Sequence, residues 1–172
     1  MKKPTLYIFS GLPGTGKSTV AAMLVKHFNA VYLRIDTIEQ GIRDFFDDPP
    51  IRYGGYQLTH RIAADNLVLG NCTVADACND SHFTREGWRQ VAISVGSQYV
   101  FIETVCSNAD THRRRVEARH PQVPNLKLPT WQEVLDRARD DWEQERIVVD
   151  TADGTPEESF SELLSMLGKA SA

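Results

Sequence analysis

The feature that most constrains this chain is the segment Gly11–Ser18 (GLPGTGKS), which matches the pattern G-x-x-x-x-G-K-[ST] at every fixed position. An apolar run that favours a strand, Leu6–Ser10, precedes it, and Thr19–Phe28 follows with the spacing of an amphipathic helix. Glycines let consecutive backbone N–H groups converge on an anion, and the first turn of the helix adds unpaired N–H groups. The segment therefore predicts a phosphate-binding loop (P-loop) rather than a Gly-rich turn.

The residues of the P-loop are expected to bind a nucleoside triphosphate. ATP is the expected phosphoryl donor. Lys17 is expected to reach the β- and γ-phosphates, and the Ser18 hydroxyl is expected to ligate Mg²⁺. The residues expected to bind the nucleotide are Gly11, Pro13, Gly14, Thr15, Gly16, Lys17, Ser18 and Thr19. The sequence contains neither an Asn-Lys-x-Asp guanine-reading element nor a Leu-Ser-Gly-Gly-Gln transporter signature, and 172 residues leave little room for the accessory parts of most motors. Those absences favour a small kinase.

The rest of the chain alternates short apolar runs with segments of helical periodicity, which is typical of a parallel sheet covered on both faces. The length of 172 residues and the 41% hydrophobic content fit one domain spanning residues 1–172. We expect an α/β three-layer fold with a five-stranded parallel sheet. The expected strands are Leu6–Phe9, Val31–Ile35, Cys72–Ala75, Tyr99–Ile102 and Ile147–Val149.

Local signals mark where several helices begin and end. Capping boxes are expected at Thr130–Glu133 and Thr155–Glu158, and Ser107–Asp110 resembles the same device. Gly70 and Gly96 are expected at positive φ after helices. Residues 47–55 carry two prolines and two glycines and are expected to form a loop.

Charge and composition exclude some partners. The net charge of −4 argues against a broad nucleic-acid or membrane surface, which would need a basic patch. Three cysteines without CxxC spacing and five histidines without metal-ligand spacing indicate neither a disulfide framework nor a transition-metal site. We expect a cytoplasmic protein without membrane contact, whose oligomeric state the sequence leaves open.

With these residues in view, the chain resembles the zeta-toxin-like, chloramphenicol-phosphotransferase-like and polynucleotide-kinase-like P-loop kinases along its whole length. The resemblance implies the strand order 2-3-1-4-5 and a general base at Asp36, which ends the run Val31–Asp36. It places a second carboxylate, Asp76, at the end of the third strand, and it continues through Thr84–Glu86 into the Arg-rich segment Thr111–Arg119. Residues 113–130 are expected to form a lid.

The functional interpretation of each residue has an alternative. Asp36 sits where ligands of open α/β sheets collect, but it could instead cap a helix over residues 37–46. Asp76 suits an acceptor contact or a water-mediated Mg²⁺ contact, but it could be a turn residue. Of the lid arginines, Arg115 and Arg119 share one helix face and are expected to contact phosphate during catalysis, whereas a solvated helix face is the alternative.

The acceptor remains open in the sequence. The expected substrate-binding residues are Asp36, Asp76 and Arg85. Phage-type polynucleotide kinases carry an arginine three positions after the catalytic aspartate, where this chain has Glu39. We therefore expect an ATP-dependent kinase acting on a hydroxyl of a small molecule, with a 5′-hydroxyl polynucleotide kinase and a nucleotide-gated binding module or ATPase as the alternatives.

Overall fold

The computed structural model describes residues 3–46 and 51–170. Five strands form one parallel sheet in the order β2-β3-β1-β4-β5, which confirms the expected fold and strand order. The strands are β1 (Thr5–Ser10), β2 (Val31–Arg34), β3 (Thr73–Asp76), β4 (Gln98–Val105) and β5 (Ile147–Asp150). Each contains most of its predicted run, and the differences in bounds are of one to three residues.

Helices cover both faces of the sheet within the described residues. They are α1 (Lys17–Phe28), α2 (Ile35–Phe46), α3 (Gly54–Val68), α4 (His82–Ser94), α5 (Ala109–Ala118), α6 (Trp131–Leu135) and α7 (Pro156–Ala170). Of these helices, none is both long and apolar enough to cross a membrane. Helix α3 begins at Gly54, so the expected loop over residues 47–55 is wrong at its last two positions, and residues 47–50 lie outside the described part of the chain.

Alternation along β1 builds the two halves of the core. Leu6 and Ile8 pack with α3 and α4 on one face, whereas Tyr7 and Phe9 pack with α1 and α7 on the other. Because β1 is buried on both faces, its carboxyl end, where the P-loop starts, is held at the centre of the sheet. This central position brings the ends of β2, β3, β4 and β5 to either side of the P-loop.

The capping signals are largely confirmed. Thr130–Glu133 forms a capping box, and Thr155 and Glu158 exchange the same two hydrogen bonds. Gly70 and Gly96 adopt φ values of 89° and 68°. The expected Ser107 cap is wrong, because Asn108 accepts the hydrogen bond from the Thr111 backbone N–H at 2.9 Å.

The segment around Asp36 differs from expectation in a way that matters for the site. Strand β2 ends at Arg34 and α2 begins directly at Ile35, whose side chain is buried in the core. Asp36 is therefore the second residue of α2, and the interpretation of Asp36 as the cap of a helix over 37–46 is wrong. The carboxylate projects from the first helical turn, next to the end of the sheet.

Candidate active site

The P-loop lies against its surroundings with no room for side chains at two of its glycines. Gly11 has φ 141°, and a Cβ there would lie 2.4 Å from the Thr104 carbonyl oxygen on β4. Gly14 has φ 86°, and a Cβ there would lie 2.6 Å from Val116 Cγ2 on α5. Both positions therefore require glycine, which shows that the loop is shaped by β4 and α5 as well as by its own sequence.

One side chain of the P-loop and two that are distant in sequence hold its backbone by hydrogen bonds. The Thr15 hydroxyl donates to the Leu12 carbonyl at 2.9 Å, and the Thr151 hydroxyl donates to the Thr15 carbonyl at 2.8 Å. His112 Nε2 donates to the Pro13 carbonyl, also at 2.8 Å. These bonds fix the loop by occupying its carbonyl oxygens, and the N–H groups of Gly11 and Thr15 are bonded to the carbonyls of Cys78 and Leu12. His112 and Thr151 carry no local signal that sequence reasoning could use.

Lys17 and Asp76 form a buried ion pair, with Lys17 Nζ 2.8 Å from Asp76 Oδ1. The Tyr32 hydroxyl donates to the other oxygen, Asp76 Oδ2, at 2.6 Å. Burial alone would raise the pKa of Asp76, but the neighbouring Lys17 ammonium and the donated hydrogen bonds hold that pKa below its usual value. Burial would likewise lower the pKa of Lys17, but Asp76 raises it. Both groups are therefore charged at neutral pH.

A cleft of about 590 Å³ opens over the P-loop and joins most of the predicted site residues. The predicted residues that line it are Pro13, Gly14, Gly16, Lys17, Ser18, Thr19, Asp36, Arg115 and Arg119. Thr15 and Asp76 are buried beneath it, at 3% and 1% exposure. Gly11 lines a second cavity instead, one of about 350 Å³ on the α4 side of the sheet.

The two predicted lid arginines reach different parts of the cleft. Arg115 donates to the hydroxyl and the carbonyl of Thr151, at 2.9 and 2.7 Å, so its guanidinium is fixed at the end of β5. Among the residues that the structure describes, Arg119 makes no hydrogen bond or ion pair, and burial lowers its pKa while the Asp36 carboxylate opposes that shift. Arg113 and Arg114 are exposed and lie outside the cleft lining.

Arg85 lies apart from the cleft, in the second cavity. Its guanidinium stacks on Trp142 at 4.4 Å and donates to the Asp141 carbonyl at 2.7 Å. Burial lowers its pKa, and the side chain is only 1% exposed. These contacts tie α4 to the segment before β5, and the expected contact of Arg85 with the acceptor stays a prediction.

Besides His112 and Thr151, sequence reasoning missed three residues that contact the site. Arg34 and Arg137 line the cleft; Arg34 lies 3.9 Å from Asp36 Oδ2, and Arg137 is paired with Asp80. Tyr32 orients Asp76 from β2. Arg34 and Tyr32 could have been identified from their position at the end of the second strand, close to Asp36. Arg137 follows a helix, and no sequence feature identifies it as a site residue.

The predicted lid over residues 113–130 begins within α5 and continues as an irregular segment up to α6. Two hydrogen bonds join that segment to the β2–α2 region. Arg34 donates to Gln122 Oε1 at 3.1 Å, and Asn125 donates to Asp44 Oδ2 at 3.2 Å. The segment thus spans the cleft, and its role as a lid stays a prediction.

Oxygen donors at the P-loop suit a magnesium ion that arrives with the nucleotide. The Ser18 side chain interacts with the Asp76 carboxylate, and the two supply the hard oxygen ligands that Mg²⁺ prefers. Within residues 3–46 and 51–170, no group of three or more His, Cys, Asp or Glu side chains is placed to hold a metal. A hydroxyl, one carboxylate and the phosphates of a nucleotide would form the ligand set.

Several solved structures share this architecture, and two of those described here are complexes with nucleotide analogues. Over 99% of this chain and 95% of the other, a gluconokinase from Sinorhizobium meliloti 1021 is 17% identical with a TM-score of 0.68. The Mycobacterium tuberculosis APS kinase CysC, in complex with AMPPNP and APS, is 18% identical with a TM-score of 0.72 over 98% of this chain and 99% of that one. Chaetomium thermophilum Kti12, in complex with ADP-AlF3, is 14% identical with a TM-score of 0.66, over 93% and 97%.

At such low identity these likenesses establish the fold, which is that of small P-loop kinases. None of the curated proteins compared with the chain matches it. A family model does match: that of an AAA domain, over residues 6–141. That span contains the P-loop, Asp36, Asp76 and the Arg-rich helix. The finer assignment to zeta-toxin-like, chloramphenicol-phosphotransferase-like or polynucleotide-kinase-like enzymes stays a prediction, and the chain belongs to the AAA domain family defined by that model.

Proposed function

We propose that this protein is an ATP-dependent kinase that transfers the γ-phosphoryl group to a hydroxyl of a small molecule. The observation that carries the proposal is that one cleft contains both the P-loop, with Lys17, and the Asp36 carboxylate. Phosphoryl transfer needs little covalent help from the protein, so a site that aligns two substrates and stabilises charge is sufficient.

The nucleotide would occupy the half of the cleft formed by the P-loop and the β5–α7 connection. Its phosphates would lie on the P-loop amides and Lys17, and its base would lie beside Gly154–Pro156, which also line the cleft. Arg115, held by Thr151, sits between these parts and would contact the nucleotide. Lys17 would exchange its bond with Asp76 for the β- and γ-phosphates, leaving Asp76 beside Ser18. A magnesium ion bound there would neutralise phosphate charge.

The acceptor would occupy the other half, formed by the end of β2, the start of α2 and the segment before α6. The Asp36 side chain is 45% exposed, so it can reach a bound hydroxyl. As the acceptor oxygen forms its bond to the γ-phosphorus, the bond from that phosphorus to the bridging oxygen breaks and ADP leaves. Asp36 accepts the hydroxyl proton, and Arg119 offers a cation to the transferring group.

The compared structures support this reading of the fold. The APS kinase holds AMPPNP together with APS, so a P-loop protein of this architecture can bind a nucleotide and a second substrate at once. The gluconokinase has the same architecture and is named for a small acceptor. The AAA domain family model covers residues 6–141, which include the P-loop and Asp36, whereas the β5–α7 connection lies outside the match.

The test is label transfer from γ-³²P-ATP with Mg²⁺ to a panel of hydroxyl-bearing metabolites and 5′-hydroxyl oligonucleotides, with the product separated from free phosphate. We expect label on a small hydroxyl compound. Label on oligonucleotide ends would assign the protein to polynucleotide kinases, with an affinity that falls steeply with salt. Release of inorganic phosphate alone, across the panel, would favour a nucleotide-gated module or ATPase.

A further inference from the structure

The guanidinium of Arg34 has an unused donor at the acceptor end of the cleft. Its Nε is buried and has no hydrogen-bond partner, although the side chain lines the cleft. The other nitrogens are only loosely engaged: one donates to Gln122 at 3.1 Å, and another lies 3.9 Å from Asp36 Oδ2. A buried donor left without a partner is costly, and of the described residues with a buried polar atom that lacks one, Arg34 is the residue that lines this cleft.

Tyr32 explains why Arg34 makes no hydrogen bond to the nearest carboxylate, although the two are within ion-pair distance. Asp76 Oδ2 lies 3.9 Å from Arg34 Nε, too far for a hydrogen bond, because the Tyr32 hydroxyl already occupies that oxygen at 2.6 Å. The other oxygen of Asp76 is taken by Lys17. Tyr32 and Lys17 therefore leave the Arg34 fork available for another oxyanion.

The cleft as a whole carries an excess of positive charge in an acidic protein. Its lining includes six cationic side chains, and the carboxylates among the lining residues are only two, although the net charge of the chain is −4. The cations are Lys17, Arg34, Arg115, Arg119, Lys127 and Arg137, and the carboxylates are Asp36 and Glu133. Asp76 and Asp80 lie outside the lining and pair with Lys17 and Arg137, which leaves four cations of the lining against its two carboxylates.

Arg34 approaches the site from β2, with the Asp76 carboxylate between its guanidinium and Lys17 of the P-loop. It ends β2, which lies two strands from β1 in the sheet order β2-β3-β1. With strands about 4.8 Å apart, the ends of β2 and β1 are separated by roughly 10 Å. Asp36, by contrast, is two residues away in the chain and within ion-pair distance of Arg34.

We propose that the acceptor carries an anionic oxygen group, a carboxylate or a phosphoryl group, and that Arg34 binds this group while Asp36 engages the hydroxyl. Arginine suits the task because its planar fork matches both anions in a bidentate manner. The inference rests on the proposed kinase function and specifies its acceptor class. It also requires that acceptor affinity fall with added salt, since a charged ligand is recognised by charge.

The test measures anion binding without needing the natural acceptor. Protein saturated with AMPPNP and Mg²⁺, which blocks the P-loop, is titrated by calorimetry with inorganic phosphate and separately with malonate, at constant ionic strength. We expect at least one anion to bind, and Arg34→Gln to weaken it about tenfold or more, the effect of losing a charge-assisted bond of at least about 1.4 kcal/mol. Arg34→Lys, which keeps the charge without the fork, is expected to bind with intermediate affinity.

The matched control is Arg113→Gln, which removes an exposed arginine outside the cleft lining. Unchanged anion binding in that variant, with AMPPNP affinity preserved in all variants, would attribute the loss to Arg34. The inference is overturned if the wild-type AMPPNP complex binds neither anion, or if Arg34→Gln binds them as tightly as the wild type. Failure of the wild type to bind AMPPNP would instead overturn the kinase proposal itself. The stronger of the two probes identifies the acceptor group as phosphoryl or carboxylate.

Discussion

The two halves of the cleft satisfy their polar groups in opposite ways. In the nucleotide half, the P-loop carbonyls of Leu12, Pro13 and Thr15 are each bonded to a protein donor. In the acceptor half, Arg34 Nε is buried without a hydrogen-bond partner, and Arg119 makes no hydrogen bond or ion pair within the described residues. The nucleotide half is preorganised for a ligand of fixed shape. The acceptor half has hydrogen-bond donors that a ligand with suitable acceptor atoms could satisfy.

This difference predicts how each half responds to mutation. Changes in the nucleotide half disturb a network of internal bonds, so they should affect both nucleotide affinity and local stability. Changes in the acceptor half remove groups that the free protein uses little, so they should affect turnover or acceptor binding at small cost to stability. Five experiments test the contrast.

The largest effect is expected from Lys17→Ala. Phosphoryl transfer should fall below detection in the label-transfer assay, because the cation that neutralises the β- and γ-phosphates is lost. The variant should also be destabilised, since Asp76 remains buried without its partner, at a cost of about 3 kcal/mol or more in urea denaturation. Wild-type turnover in this variant would remove the P-loop from the mechanism.

The stability loss of Lys17→Ala should depend on pH. With Lys17 present, the Asp76 pKa is lowered, which stabilises the fold above the unfolded-state pKa and is lost as pH falls. Without Lys17, burial dominates and raises that pKa above the unfolded value, so the variant gains stability as pH falls. Urea denaturation at pH 8 and pH 5 should therefore show the larger deficit at pH 8, and Lys17→Ala/Asp76→Asn should abolish this difference.

Asp36→Asn should leave the protein stable and nearly inactive. The substitution keeps the side-chain shape but removes the base, an effect of about 10²–10⁴-fold in kcat for acceptor phosphorylation. AMPPNP affinity should be unchanged, because the P-loop supplies the phosphate contacts. Asp65→Asn, on the exposed surface of α3, is the control for removing a carboxylate. A fully active Asp36→Asn enzyme would end the general-base proposal.

Thr151→Val tests the internal network of the nucleotide half. The hydroxyl donates to the Thr15 carbonyl and accepts from Arg115, so its loss loosens the P-loop and the arginine together. We expect AMPPNP affinity to fall about tenfold, equivalent to roughly 1.4 kcal/mol, with a similar loss of stability. Thr151→Ser keeps the hydroxyl and should behave like the wild type. If valine weakens AMPPNP binding no more than serine does, the network is not needed for binding.

The two halves of the cleft also differ in how well the sequence predicts them. The P-loop was predictable because its function depends on local backbone geometry, which a short pattern encodes at Gly11, Gly14 and Gly16. The strand order came from resemblance and was confirmed. The side chains that hold the loop, Thr104 and Thr151, come from strands far along the chain, and only the fold brings them to Thr15.

The acceptor half was harder to predict because its residues acquire meaning from their neighbours. Arg34 is an ordinary residue at the end of a strand until Tyr32 is seen to occupy Asp76. Arg85 differs in part: its Nε also lacks a hydrogen-bond partner, but its other two nitrogens donate to backbone carbonyls and its guanidinium stacks on Trp142. Asp36 was predicted at the end of a strand and lies instead in α2, and it still lines the cleft.

The smallest effect is expected at the segment that joins the two halves. Residues 119–130 contact the acceptor side through Gln122 and Asn125, and Arg119 lines the cleft, so occupation of both halves should hold the segment in place. Limited proteolysis near His120–Pro129 should slow several-fold when AMPPNP and Mg²⁺ are added, as expected of a lid. Gln122→Ala/Asn125→Ala removes the two hydrogen bonds to β2 and α2. The free variant should therefore be cleaved faster than the free wild-type protein. Equal rates with and without nucleotide in the wild type would show that these residues do not act as a lid, and that the two halves bind their ligands independently.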